Sequence, residues 1–172
     1  MKRVLIIGGY GNFGSFISRS LAKHSNIDLV IAGRSLDKAE ALAQEINAKA
    51  AGIDIHNNFE ARLQEIKPDI VNLHWINNEL ISIKQIAKIK FPVIWTFNDM
   101  WPMCGGEHYS DDDRFKFGYD TTPKSTRESG IDLNRYLWNL KKHYWGDNIK
   151  LIICISNWLK EKTRESKLFS NY

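Results

Sequence analysis

Short apolar runs and helix-spaced apolar positions alternate along this chain. Val4-Leu5-Ile6-Ile7 is continuously apolar, so Arg3–Ile7 predicts a strand buried on both faces. Phe13, Phe16, Ile17 and Leu21 then recur at helical spacing. Leu29–Ala32 predicts a second strand. Ala39, Leu42, Ala43 and Ile46 predict a second helix with Ser35 as its N-cap. Ala50–Ile55 predicts a weaker third strand, and Phe59, Leu63 and Ile66 a third helix that Pro68 ends. Ile70–Leu73 and Val93–Phe97 predict two more strands around a helix marked by Leu80, Ile83, Ile86 and Ala87. Residues 98–130 carry no regular period. Leu133, Tyr136, Leu137, Leu140 and Tyr144 mark an amphipathic helix, Leu151–Ile155 a sixth strand, and Ser156 caps a last helix from Asn157.

Strands alternating with helices predict an α/β fold: a Rossmann-like, doubly wound parallel sheet in three layers, α/β/α. Ligands of such sheets sit at the carboxyl ends of the strands. That points to residues 8–14, 33–35, 54–56, 74–78, 98–109 and 156–158. With 172 residues the chain is expected to form a single domain spanning 1–172.

Composition narrows the function classes. No apolar run approaches the ~20 residues of a membrane span, and four apolar residues after Met1-Lys2-Arg3 do not make a signal peptide. Two cysteines, Cys104 and Cys154, cannot frame a disulfide scaffold, so two free thiols in a reducing cytoplasm are expected. The net charge of +4 divides evenly between residues 1–67 and 68–172. Without a basic stripe, a nucleic-acid partner is not expected. All six tryptophans follow residue 74, whereas residues 1–67 hold only Tyr10, Phe13, Phe16 and Phe59 among the aromatics. No linker separates the two halves, so the change near residue 67 is a junction of sequence types within one sheet.

The first strand runs into Gly8-Gly9-Tyr10-Gly11-Asn12-Phe13-Gly14, which contains G-x-G-x-x-G at Gly9, Gly11 and Gly14. Gly9 serves a tight turn, Gly11 admits a pyrophosphate close to the backbone, and Gly14 lets the helix pack on the strand. The helix start then offers N–H groups and partial positive charge to phosphate. Tyr10, Asn12 and Phe13 complete this candidate cofactor loop. After the second strand an NAD site would carry an acid, whereas this chain has Gly33-Arg34-Ser35. Guanidinium and hydroxyl suit a 2′-phosphate, so NADP is preferred over NAD. Asp54 is either an acceptor for the adenine amino group or a turn residue.

These stretches, with Ile31-Ala32-Gly33-Arg34-Ser35 and Gly52-Ile53-Asp54, resemble the NADP-binding half of the saccharopine dehydrogenase family over residues 1 to about 67. The resemblance implies a Rossmann fold, NAD(P), and hydride chemistry on an amino acid or related substrate. Where that family carries small residues at the end of strand four, this chain has Leu73-His74-Trp75-Ile76-Asn77. With no substrate domain in the sequence either, no turnover by the chain alone is expected.

Residues 68–172 resemble something else. Pro68–Asn77, Trp95-Thr96-Phe97-Asn98-Asp99-Met100-Trp101-Pro102, Gly105-Gly106-Glu107-His108-Tyr109 and Ser156-Asn157-Trp158-Leu159 are similar to the amino-terminal domain of two-domain sugar glycosyltransferases from polysaccharide clusters. That resemblance implies a sugar-acceptor site, and the whole reads as a chimera; a third reading is a folded domain without activity. His74 and Asp99 are the candidate catalytic pair, with Asp99 orienting the imidazole for proton abstraction from a sugar hydroxyl. The alternative is that His74 and Trp75 close the end of the sheet. Trp101 and Tyr109 either stack on a sugar or anchor the long loop. Asp111-Asp112-Asp113 reads as a solvated loop, and no metal site is expected. The partners implied are a dinucleotide and a sugar acceptor, and an oligomer is compatible with this surface.

Overall fold

The computed structural model describes residues 1–54, 58–74, 76, 81–126, 129–145 and 149–171. Six strands form one sheet: β1 (Lys2–Ile7), β2 (Ile27–Gly33), β3 (Lys49–Gly52), β4 (Ile70–His74), β5 (Val93–Phe97) and β6 (Ile149–Cys154). Every pairing is parallel and the order is β3-β2-β1-β4-β5-β6. The order reverses between β1 and β4, which opens a crevice at their carboxyl ends. Strands from both sides of residue 67 therefore share one sheet, as β1 pairs Ile6 with Asn72 and Ile7 with Leu73.

Seven helices connect the described strands: α1 (Asn12–Leu21), α2 (Leu36–Glu45), α3 (Phe59–Ile66), α4 (Ile83–Ala87), α5 (Arg114–Phe117), α6 (Leu133–Tyr144) and α7 (Asn157–Glu165). One sheet face buries Val4, Ile6, Leu29 and Ile31 against Ala39, Leu42 and Ala43 of α2, with Ile17 and Leu21 of α1 alongside. The other buries Leu5, Ile7, Val30, Val71, Leu73, Val93, Trp95 and Phe97 against Phe59, Leu63, Ile86, Trp138 and Leu159. This is the three-layer Rossmann-like architecture that the alternation predicts. Trp95 and Trp138, with Trp101 and Trp145 packed against them, help build that larger core: Trp95 meets Trp145 edge-on at 4.9 Å, and Phe97 meets Phe169 at 5.2 Å.

Local chemistry sets the helix starts. Ser35 accepts from the Lys38 N–H, Ser156 from the Leu159 N–H, and Ser82 forms a reciprocal capping box with Gln85. The loop expected without periodicity, 98–130, contains only the four residues of α5 as helix among its described residues. Two apolar stripes differ from expectation. On α1, Phe13 and Phe16 are exposed, and the helix turns Gly14 and Ser18 inward because the glycine loop leaves no room for larger groups. On α6, Leu133 and Tyr136 are exposed, and the buried residues are Trp138 and Lys141. A lysine takes an interior position there because Nζ finds the backbone oxygens of Trp101, Cys104 and Gly105. Ile55 and Leu80 lie outside the described residues.

Candidate functional site

The glycine loop closes on itself before α1 begins. Gly8 sits at φ +81°, and a Cβ there would lie 2.1 Å from the His74 carbonyl oxygen. Only glycine fits between β1 and β4 at that point. Gly14 is glycine for a different reason: its Cβ would lie 2.1 Å from the Gly8 oxygen and 2.9 Å from Gly9 Cα. A bare Cα lets α1 rest on the loop. Gly11 is exposed, donates its N–H to the Gly8 oxygen at 3.1 Å, and has extended backbone at φ −68°. A Cβ on Gly11 would meet one atom only, the Gly8 oxygen at 3.3 Å, and otherwise project into open space. No side chain caps α1 and its first turn holds no acid, so its positive end is available to an anion. Asn12 and Phe13 lie exposed in that first turn. Gly8 escaped the sequence reasoning, which counted only the three motif glycines; its signal was its place directly after an apolar strand.

The end of β2 gathers three of the expected residues. Tyr10 reaches from the loop across Gly33, and its hydroxyl accepts the Ser35 N–H at 3.0 Å. Ser35 also caps α2 through Oγ. Arg34 is exposed, and its guanidinium carries no partner among the described residues. One strand further, Asp54 is half-buried: its N–H donates to Asn58 Oδ1 at 2.9 Å and its oxygen accepts the Asn58 N–H at 3.0 Å, a turn leading into α3.

The second half presents a different arrangement. On β4 and β5 the register pairs His74 with Thr96 and Asn72 with Ile94. Asn72, His74, Thr96 and Asn98 are all buried, and among the described residues Asn72 Oδ1, both His74 ring nitrogens, Thr96 Oγ1 and the Asn98 amide find no hydrogen-bond partner. Burial pulls the His74 imidazole down to about 4, so it is neutral at physiological pH. His74 therefore does not pair with Asp99 as expected. Asp99 Oδ2 instead lies 2.6 Å from His108 Nδ1, because the loop folds back and the Met100 N–H donates to the His108 oxygen. The sequence places His108 at a strand end without pairing it, since the eight residues between carry no periodic signal. Asp99 Oδ1 also accepts the Trp101 N–H at 2.9 Å.

Lys141 locks this loop from beneath, with Nζ 3.9 Å from the Trp101 ring centre as well as on its three carbonyls. Trp101 thus anchors the loop. Tyr109 stays 65% exposed beside Trp158, itself 48% exposed, with ring centres 6.2 Å apart. Asp112 holds Ser110 and the Arg114 N–H, while Asp113 pairs with Lys116. Both thiols are free, and burial pushes Cys104 up to about 12, which keeps it unreactive. Trp75 and Asn77, at the expected nicotinamide end, lie outside the described residues.

Three comparisons place this geometry among known proteins. A 57-residue segment is 42% identical to glutamyl-tRNA reductase of Methanosphaera stadtmanae, covering 33% of this chain and 14% of that protein. A 128-residue segment is 30% identical to an uncharacterized 42.6 kDa protein in the cps region of Klebsiella pneumoniae, covering 69% of this chain and 30% of that one. The chain thus spans less than a third of the length of either curated relative. Among solved structures, a short-chain dehydrogenase/reductase from Veillonella parvula shares the fold at a TM-score of 0.51, with 13% identity, covering 88% of this chain and 67% of that one. The sequence profile of the saccharopine dehydrogenase NADP binding domain matches residues 4–97, which takes in the glycine loop, the Gly33-Arg34-Ser35 turn and β4 and β5. By that match, over more than half its length, the chain belongs to the saccharopine dehydrogenase NADP-binding domain family.

Proposed function

We propose that the crevice at the carboxyl ends of β1 and β2 binds NADP in preference to NAD. The pyrophosphate would lie on Gly9–Gly14 at the start of α1, the 2′-phosphate on Arg34 and Ser35, and the adenine amino group within reach of Asp54. The observation that carries this reading is the exposed Arg34 guanidinium, without a partner among the described residues, beside the start of α2, at the position where an NAD site would carry an acid. When bound, the nicotinamide would supply hydride chemistry. On this reading the chain itself binds the dinucleotide without turnover. Titration with both cofactors tests the reading. Arg34→Asp weakens NADPH by roughly 1.5–3 kcal/mol, the worth of a charge-assisted hydrogen bond, and leaves NADH unchanged or tighter. Equal weakening of both would make Arg34 a structural residue.

A second reading is favoured by the Asp99–His108 contact. A carboxylate that is 4% exposed holds an imidazole that is 44% exposed, next to the Tyr109–Trp158 pair. A general base beside exposed aromatic rings suits a sugar acceptor, as in the acceptor domain of a glycosyltransferase. On this reading the two halves are one continuous domain carrying two sites. His108→Ala then abolishes any nucleotide release from sugar donors while leaving NADPH affinity intact; release that persists in the variant removes His108 from the chemistry.

A further inference from the structure

Tyr10 stands between two motif glycines, and its ring packs against the core face of Val4, Ile6, Leu29 and Ile31. The side chain has a defined place. Its Cε1, Oη and Cζ atoms lie 2.5, 2.6 and 2.7 Å from the point a Gly33 Cβ would occupy. The ring thus lies directly on the last residue of β2, and any side chain at position 33 would displace it. Its oxygen accepts the Ser35 N–H at 3.0 Å. A phenol that accepts one hydrogen bond still has its own proton to donate. Among the described residues that proton has no acceptor.

The turn after β2 therefore carries two groups whose protons have no acceptor among the described residues: the Arg34 guanidinium and the Tyr10 hydroxyl. The guanidinium has no acceptor to offer a ribose hydroxyl, and the phenol oxygen already accepts from Ser35, so the carboxylate acceptor of an NAD site has no counterpart in this pair. The Ser35 N–H polarises the phenol and fixes its oxygen, which strengthens the outward O–H as a donor. Such a donor gains most from an anionic acceptor, since a charge-assisted hydrogen bond is about twice as strong as a neutral one. We propose that Tyr10 is a third reader of the cofactor's 2′-phosphate, donating its phenolic proton to a phosphate oxygen while Ser35 holds the phenol in place. The inference rests on the dinucleotide reading above and adds a specificity-determining residue to it. It also explains why Gly33 ends β2: the ring needs that space.

The test separates the 2′-phosphate from the rest of the ligand. Adenosine 2′,5′-bisphosphate and 5′-AMP are titrated calorimetrically against wild type and Tyr10→Phe, whose ring still covers Gly33. The variant is expected to lose about tenfold in affinity for the bisphosphate, the low end of a charge-assisted hydrogen bond, and nothing for 5′-AMP. A thermal melt without ligand checks that the variant is folded. An unchanged bisphosphate to 5′-AMP ratio overturns the proposal, and a tighter bisphosphate overturns it too, because the hydroxyl would then be a competitor for Ser35 rather than a reader. If Tyr10→Phe weakens both ligands alike, the residue is a wall of the adenosine site and the proposal fails. Wild type binding neither ligand defeats the dinucleotide reading itself, and the role of Tyr10 falls with it; binding of both with no preference for the bisphosphate defeats Tyr10 and Arg34 as readers while sparing the glycine loop.

Discussion

The two halves of the sheet solve the same problem with opposite materials. At the carboxyl ends of β1 and β2 the site is made by what is missing: glycines whose Cβ atoms would collide with backbone at 2.1 Å, an uncapped helix, and an arginine with no partner among the described residues. Along β4 and β5 themselves the backbone has no positive φ, and the side chains are crowded. Polar groups of Asn72, His74, Thr96 and Asn98 are buried without partners among the described residues, and a buried lysine ties down the loop that follows β5. The first arrangement presents backbone N–H groups and a cationic side chain to an anion. The second presents one engaged imidazole, His108, and aromatic rings. The difference teaches where a side-chain change should destroy the fold and where it should only remove a ligand.

The sharpest break within the first half separates two glycines three residues apart. Gly14→Val drives a side chain into the Gly8 carbonyl and Gly9 Cα, both backbone atoms that cannot rotate away. The expected loss is about 3–5 kcal/mol of stability, in the range of severe core overpacking, together with dinucleotide binding. Gly11→Val adds its side chain where only the Gly8 oxygen is near and where φ is already −68°. It should cost under about 1 kcal/mol of stability, as exposed changes without a special conformation do, yet abolish NADPH binding by filling the pyrophosphate position. Urea denaturation paired with NADPH titration reads both. If Gly11→Val keeps its affinity, the pyrophosphate does not lie on this loop.

Much of this was legible beforehand, for reasons that differ by region. Val93–Phe97 and the Leu133–Tyr144 helix appear with the bounds their patterns predict, and Ser35 and Ser156 cap where capping chemistry asks. The glycine loop was readable because its constraint is local, each glycine answering to backbone a few residues away. What was not readable depends on contacts distant in sequence. Lys141 looks like a surface lysine until the Trp101–Gly105 carbonyls, some 40 residues earlier, fold over it. His108 pairs with Asp99 only because the intervening turn doubles back. Phe13 and Phe16 kept helical spacing yet face outward, since Gly14 and Ser18 must sit against the loop. Spacing reports the period of a helix, and the neighbour decides which face turns inward.

The smallest expected effect tests whether the polar row of the second half is as unpartnered as its geometry shows. His74 is 1% exposed and its imidazole is held near 4, whereas an unfolded histidine titrates near 6.5. Between those values the unfolded chain binds a proton that the folded chain refuses, so stability falls as pH drops from 6.5 toward 4. Above 6.5 both states are neutral and the group contributes no slope. One pH unit of this window is worth about 1.4 kcal/mol, so wild type should lose about that much from His74 between pH 7.5 and 5.5. The carboxylates held low by ion pairs, such as Asp28 beside Lys49 and Arg3, lose their contribution only at more acidic pH and do not confuse the comparison. His74→Leu keeps the volume and removes the titrating ring. It should be at least as stable as wild type at pH 7.5, since a buried imidazole without a partner carries a desolvation cost, and its advantage should grow by about 1.4 kcal/mol at pH 5.5. Urea midpoints at the two pH values measure the difference. An identical pH dependence in both proteins would mean that His74 is hydrated or paired in solution, and the contrast between a site built from backbone and one crowded by unpartnered side chains would not hold.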